Sequence, residues 1–152
     1  MPTNPEFRAP SAVERLFNKI YGTLVGLGVG FSYNYLLQVR GRKSGRIYST
    51  PIDLLQLGGK SYLVAPRGRT QWVRNVEAAG EVMLKKGSRS NRYNVRVIAE
   101  AQRPELLKAY LEAFKAQVQR YFPVPAGSPV EAFAPIAGNY PAFELLPADP
   151  QK

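Results

Sequence analysis

A cluster of basic residues around two glycines is the part of this sequence best suited to chemistry. Residues 40–46 read Arg-Gly-Arg-Lys-Ser-Gly-Arg, which places four cations within seven residues. They open a longer basic stretch, because thirteen of the twenty-one Lys and Arg residues, against three acidic residues, lie between Arg40 and Arg96. This stretch carries the whole formal net charge of +10. A charge concentrated in this way predicts that the region holds a polyanionic molecule.

The composition excludes several other kinds of site. The chain contains no cysteine and no histidine, so it has neither thiolate chemistry nor an imidazole base or metal ligand. Its acidic residues are scattered rather than clustered, and we predict no metal site. A length of 152 residues with 45% hydrophobic residues predicts one folded domain with a core of its own.

One uncharged stretch, from Ile20 to Val39, is about long enough to cross a bilayer. Its four glycines and several polar residues argue against a membrane span. No basic start followed by an apolar run and a cleavage site marks a secretory signal. We therefore predict a cytoplasmic protein, with the apolar face of an N-terminal helix as a route to peripheral membrane contact.

Hydrophobic periodicity and turn residues predict an α+β protein with a mainly antiparallel sheet or barrel. Residues 1–30 form an amphipathic helix and a glycine-rich connector, residues 31–101 form the strands, and residues 102–152 form a helix, a proline-rich loop or lid and a last strand. The predicted strands span residues 33–39, 47–57, 61–65, 81–85, 93–100 and 142–146. The predicted helices span residues 11–24, 71–79 and 104–120, with Thr70 as an N-cap for the second. Gly58-Gly59 predicts a tight hairpin, and the polar residues 86–92 predict another connection between strands.

Several short motifs follow the basic turn in a defined order. Gly41-Arg42-Lys43-Ser44-Gly45 precedes Thr50-Pro51, which is followed by a hairpin, by Ala65-Pro66-Arg67-Gly68 and by Trp72-x-x-Asn75. With this order, the chain resembles the deazaflavin-dependent nitroreductase and quinone reductase family over about residues 33–100. Members of that family are small split β-barrels related to the FMN-binding split barrels, so the resemblance implies this fold with flanking helices.

The resemblance implies an oxidoreductase that uses coenzyme F-420, an 8-hydroxy-5-deazaflavin, in preference to FMN. A hydride would pass from C5 of the reduced coenzyme to a quinone, a nitro compound or a similar activated small molecule. The coenzyme carries a phosphodiester and an oligoglutamate tail, which the cations of the basic turn would bind by charge-assisted hydrogen bonds. The implied cofactor-binding residues are Arg42, Lys43, Ser44, Arg46, Thr50, Pro51, Val64, Ala65, Arg67, Gly68, Trp72 and Asn75.

Hydride transfer needs no protein nucleophile, but a proton must reach the acceptor. Tyr121 and Tyr140, which flank the proline-rich segment, are the candidate catalytic residues for hydrogen bonding to the acceptor or for proton relay. Asp53 stands where the family often has an apolar or aromatic residue. It either lines the acceptor pocket or faces water.

Two other functions remain open at this stage. One is a split barrel that binds a flavin, a deazaflavin or a fatty acid without turnover. The other, nucleic-acid binding, is motivated by charge alone, and we predict no nucleic-acid partner because no recognisable module is present. A homodimer would be in keeping with the fold. A second basic cluster, formed by Lys85, Lys86, Arg89 and Arg92, is predicted to be a solvated hairpin rather than a second anion site.

Overall fold

The structure, a computed structural model, describes residues 34–148. The predicted N-terminal helix, the glycine-rich connector and the membrane contact lie outside these residues. Within residues 34–148, seven strands form one sheet: β1 (Asn34–Arg40), β2 (Ile47–Asp53), β3 (Leu55–Leu57), β4 (Lys60–Val64), β5 (Glu81–Lys86), β6 (Arg89–Val97) and β7 (Ala142–Pro147). The helices are α1 (Gln71–Ala79), α2 (Arg103–Ala113) and α3 (Lys115–Val118), with 3₁₀ segments at Glu100–Gln102, Gln119–Tyr121 and Val130–Asn139. Within residues 34–148, no helix has both the length and the apolar character needed to cross a membrane.

The sheet is entirely antiparallel and curls into a split barrel. Its strand order is β2-β1-β5-β6-β7-β4-β3, so β2 and β3 lie at opposite ends of the sheet although only Leu54 separates them in the chain. The two ends must therefore approach each other at Leu54. The prediction of one strand over residues 47–57 was wrong for this reason: the chain leaves its partner β1 and joins β4 instead, around the buried side chain of Leu54. The predicted α+β split-barrel class is confirmed.

Two hydrophobic clusters cover the two faces of the sheet. Adjacent residues on β7 belong to different clusters, since Ala142 packs in one cluster and Phe143 packs in the other. Leu63 and Val64 on β4 divide in the same way. This is the alternation expected of a strand that is covered on both faces. One cluster lies between the sheet and α1, and the other holds the C-terminal helical segments.

The helix predicted over residues 104–120 is interrupted at Phe114. Phe114 has a φ of −123°, and α2 ends just before it, while a short α3 and a 3₁₀ turn continue the chain to Tyr121. The Phe114 side chain is buried and packs edge-on against Tyr110, with ring centroids 5.3 Å apart. The break in the helix therefore coincides with a buried aromatic ring.

The proline-rich segment is part of the core rather than a lid. It contains the 3₁₀ helix Val130–Asn139, in which Phe133 and Ala137 are buried against the cluster that includes α2. The Tyr140 ring at its end stacks on Phe122, with centroids 4.4 Å apart and planes 8° apart. The prolines end regular α-helix here, but the apolar side chains between them still find a core.

The connection between β5 and β6 is shorter than predicted. The strands extend to Lys86 and from Arg89, which leaves Gly87 and Ser88 as the turn, with Gly87 at a φ of +62°. Most of the polar segment 86–92 is therefore strand, because polar side chains on a solvent-facing edge do not prevent ladder pairing. Lys86 folds back, and its ammonium donates to the Asn34 carbonyl at 2.9 Å.

Candidate active site

A cleft of about 1300 Å³ runs between the β1–β2 hairpin, α1 and the segment from Ala116 to Tyr121. Ten of the fourteen predicted site residues line it: Arg42, Lys43, Ser44, Thr50, Pro51, Val64, Arg67, Trp72, Asn75 and Tyr121. They come from a turn, two strands, a loop, one helix and a 3₁₀ turn that are distant in sequence. The structure thus brings the predicted motifs into one place.

Four predicted site residues do not line the cleft. Arg46 lies on the exposed outer side of the basic turn, and Ala65 is buried in the core. Gly68 is buried in the loop before α1, where its φ of +84° fits a glycine. Tyr140 is fully buried, and its hydroxyl donates to the Tyr121 carbonyl at 2.5 Å. Tyr140 therefore braces the chain next to Tyr121 instead of facing the cleft.

The basic turn has a compact backbone with a glycine near each end. The Gly41 N–H donates to the Arg46 carbonyl at 2.6 Å, and the Gly45 N–H donates to the Gly41 carbonyl at 3.0 Å. Gly45 has a φ of +77°. A Cβ on Gly41 would lie 2.5 Å from a ring carbon of Tyr48, so the side chain of Tyr48 would have to move. The turn and this ring therefore pack as one unit.

A buried amide fixes the basic turn to helix α1. The Asn75 side chain is 5% exposed, and its Oδ1 accepts hydrogen bonds from the Arg42 backbone N–H at 3.1 Å and from Arg42 Nη1 at 2.7 Å. Arg42 Nη2 donates to Gln71 Oε1 at 2.9 Å. The guanidinium of Arg42 is thus engaged by α1, while the neighbouring Lys43 is exposed at the cleft. Asn75 acts as a positioning residue for the turn.

Trp72 is both a cleft residue and a core residue. It lines the cleft, and it also packs against the cluster beneath the sheet, with its ring centroid 6.4 Å from that of Phe143. The indole is therefore a rigid part of the cleft wall, because its inner side is held by the core.

Several residues that line the cleft were missed as site residues. Thr70 stands at the N-cap position of α1, but its side chain makes no capping bond. Its Oγ1 is buried and has no hydrogen-bond partner among residues 34–148. A buried hydroxyl left in this state is suited to a polar ligand atom. Tyr48, Gln71 and Tyr110 also line the cleft, and no local motif in the sequence distinguishes them.

Asp53 faces the cleft, which decides between the two positions left open for it. It is the one acidic residue lining the cleft within residues 34–148. Burial raises its pKa from 3.8 to about 6, and the hydrogen bond that its Oδ1 accepts from Asn34 Nδ2 partly opposes this. Asn34 is its cross-strand neighbour on β1. A carboxyl with this pKa can gain and lose a proton near neutral pH.

The raised pKa of Asp53 predicts a pH dependence of stability. Because the folded-state pKa of about 6 exceeds the unfolded value of 3.8, the folded protein binds this proton more tightly. The stabilisation is complete below about pH 4 and is lost as the pH rises through about 6, an effect of at most about 3 kcal/mol. Urea unfolding from pH 4 to 8 should show the difference between wild type and Asp53→Asn shrinking or reversing as the pH rises. Parallel curves for the two proteins would contradict the prediction.

Comparison with known proteins gives the chain's relationships. A family model described as F420H(2)-dependent quinone reductase matches residues 13–124. The chain belongs to this family. It is therefore an oxidoreductase, its cofactor is coenzyme F-420, and the resemblance inferred from the motifs is confirmed. No curated protein is significantly similar to the chain.

Solved structures share the fold of this family member. An F420-H2 dependent reductase (FDR-A) is similar over 78% of this chain and 99% of its own, with 21% identity and a TM-score of 0.51. A structure described as a domain-swapped dimer is similar over 88% of this chain and 92% of its own, with 22% identity and a TM-score of 0.53. A putative 5-nitroimidazole antibiotic resistance protein from Bacteroides thetaiotaomicron is similar over 87% and 81%, with 11% identity and a TM-score of 0.52. At these identities the likeness shows the fold.

The cleft fits the cofactor of the family in three respects. A glycine-bounded cationic turn lies at one end, where an anionic tail requires positive charge. Pro51, Val64 and Trp72 provide apolar surface for a flat ring system. The buried Thr70 hydroxyl, which has no hydrogen-bond partner among residues 34–148, provides a hydrogen-bonding group at the cleft.

Proposed function

We propose that this reductase passes a hydride from reduced coenzyme F-420 to a quinone within the cleft described above. The observation that carries the proposal is the convergence of the basic turn, an apolar wall and one carboxyl group on a single cleft. When bound, the coenzyme supplies the hydride. The protein's own residues have to bind and orient the coenzyme and the quinone, and they have to deliver a proton to the quinone.

Each wall of the cleft has a distinct task in this proposal. Lys43 and Ser44 hold the anionic tail, and Asn75 keeps their turn in position through Arg42. Thr50, Pro51, Val64, Arg67 and Trp72 surround the ring system, as the resemblance implies. Arg46 acts indirectly through its backbone N–H and carbonyl, which hold the turn, and Ala65 and Gly68 shape the loop that carries these side chains. Tyr121 lines the opposite wall and can contact the acceptor.

A quinone is the favoured acceptor because the matching family is described by that reaction. A nitro compound is the second candidate acceptor. Quinones and nitroaromatic compounds are both flat and electron-poor, and the apolar surface of the cleft does not distinguish between them. The family match favours an enzyme over a barrel that only binds a flavin, a deazaflavin or a fatty acid. Five statements about this protein stay predictions. They are that it forms a homodimer, that it contacts a membrane peripherally, that it has no nucleic-acid partner, that it is cytoplasmic and that residues 1–152 form a single domain.

The proposal is tested by comparing coenzyme binding in two variants of the basic turn, one at Lys43 and one at Arg46. Lys43→Ala removes a cation that lines the cleft, and loss of one charge-assisted hydrogen bond should weaken binding of oxidised coenzyme F-420 by about tenfold or more. Arg46→Ala removes the same charge from the side of the turn that does not line the cleft, and less than a threefold change is expected. Fluorescence titration at fixed salt, with FMN as competitor, measures both.

Turnover is measured alongside binding. Wild type should oxidise the reduced coenzyme when menadione is added, and the two variants should differ mainly in the coenzyme concentration that they require. Equal weakening by both substitutions would show that only the overall charge matters and that the turn is no specific site. Binding without turnover over a panel of quinones would contradict quinone reduction.

A further inference from the structure

The cleft has two chemically different ends, set by the register of the β1–β2 hairpin. The basic turn joins the strands beyond the pair Arg40 and Ile47, and the other end of the ladder is the pair Asn34 and Asp53. Six residue steps along a strand separate these pairs, which is about 20 Å. Cations therefore line one end of the hairpin and a carboxyl lies at the other.

This polarity gives a bound coenzyme a direction. A tail with several negative charges is attracted to the turn and repelled by the ionised form of Asp53. The ring system and the acceptor are then left with the part of the cleft toward Asp53. The carboxyl thus lies at the end where the acceptor is reduced, which is where a proton is needed.

The side chain of Asp53 is held in a defined orientation. Its Oδ1 accepts the hydrogen bond from Asn34 Nδ2, and Asn34 is itself 3% exposed and fixed within β1. An amide donor satisfies one carboxyl oxygen and leaves the other to hold the proton. A general acid needs both a held position and a proton that is available near the working pH.

Two ionisable residues near Asp53, Tyr110 and Lys86, are less suited to donate a proton in the cleft. Tyr110 on α2 is 2% exposed, and burial together with the charge of Asp53 raises the pKa of its phenol well above 10.0. Lys86 on β5 donates to the Asn34 carbonyl and does not line the cleft. The other ionisable groups that line the cleft within residues 34–148 are Arg42, Lys43, Tyr48, Arg67, Arg120 and Tyr121.

We propose that Asp53 is a catalytic residue that donates a proton to an oxygen of the quinone as the hydride is transferred. This role rests on the proposed function. The hydride from the bound coenzyme would bring two electrons and form the O–H bond on one quinone oxygen. The O–H bond of the Asp53 carboxyl would break, and its proton would form the O–H bond on the other quinone oxygen to complete the hydroquinone. Asp53 then takes a proton from water, which balances the proton that the coenzyme releases on oxidation.

The first test is the pH dependence of menadione reduction in wild type, Asp53→Asn and Glu131→Gln. In wild type, kcat should fall about tenfold per pH unit above about pH 6, because only the protonated carboxyl donates. Asp53→Asn should lose this fall and be slower at pH 5.5 by at least about a hundredfold. Glu131→Gln makes the same chemical change at an exposed position on the 3₁₀ helix and should keep the wild-type profile.

A second test does not depend on turnover or on the variant's folding. The carboxyl ¹³C resonance of Asp53 should titrate near pH 6 in the free protein, and menadione added to the complex with oxidised coenzyme should shift it. Titration near pH 4 with no response to menadione would overturn the role of Asp53.

The outcomes separate this role from the proposed function. Asp53→Asn with unchanged coenzyme affinity and a wild-type pH profile would overturn the role of Asp53 while leaving quinone reduction in place. If Tyr121→Phe instead removed the fall in rate, Tyr121 would be the proton donor. A wild type that binds the coenzyme but reduces no quinone at any pH would overturn both.

Discussion

Asn75→Ala is expected to weaken binding of coenzyme F-420 by tenfold or more, because Asn75 holds the basic turn in position through Arg42. The substitution removes two hydrogen bonds to Arg42, one from the backbone and one from the guanidinium. It also leaves an apolar methyl facing a guanidinium at a site that is 5% exposed. Loss of a buried, charge-assisted pair of bonds should lower the free energy of unfolding by about 2 kcal/mol. Without this anchor, the basic turn would become ordered only when the coenzyme binds, and the free energy needed to order it would weaken binding.

The control for this prediction lies on the same helix. Gln71 accepts one bond from the same guanidinium at 2.9 Å, but in an exposed position. Gln71→Ala should therefore change coenzyme affinity less than threefold and the free energy of unfolding by less than about 1 kcal/mol. Urea unfolding and fluorescence titration measure the two quantities on each protein. If Asn75→Ala bound the coenzyme as tightly as wild type, the anchoring of the turn by α1 would be irrelevant to binding.

Phe133→Ala is expected to cost about 3–5 kcal/mol of unfolding free energy, the largest effect on stability that we predict. Phe133 is fully buried, and its ring meets that of Phe122 edge-on with centroids 6.4 Å apart. Truncation leaves a cavity beneath the 3₁₀ helix Val130–Asn139, which precedes β7. A fall of this size would show that the proline-rich segment is a permanent part of the core.

Glu131→Ala serves as the matched control, because Glu131 is exposed on the same 3₁₀ helix. A change within about 0.5 kcal/mol is expected for such a surface substitution. Thermal and urea unfolding of both variants should agree on the order of the effects. A Phe133→Ala protein nearly as stable as wild type would mean that the segment detaches readily, as a lid would.

Features that depend on neighbouring residues were predictable from the sequence. The positive φ values of Gly58 and Gly59, at +59° and +78°, follow from the two-residue hairpin that these glycines predict. The basic turn was located correctly because its glycines and cations are consecutive. The order of motifs also led to the family, since motif order survives when overall identity is low. Pattern and spacing therefore sufficed for the α+β class and most strands, and the family resemblance implied the split barrel and the cofactor.

The tertiary structure decided what depends on which faces of distant elements meet. Asn75 and Arg42 are 33 residues apart, and no local rule brings an amide on a helix to a turn between strands. Tyr140 carries a hydroxyl that could take part in catalysis, but its side chain is buried because its ring stacks on Phe122. Asp53 could have faced water or the cleft, and the curl of the sheet at Leu54 turns it toward the cleft. Long-range packing is cooperative, so side-chain direction and burial are settled only when the whole core has formed.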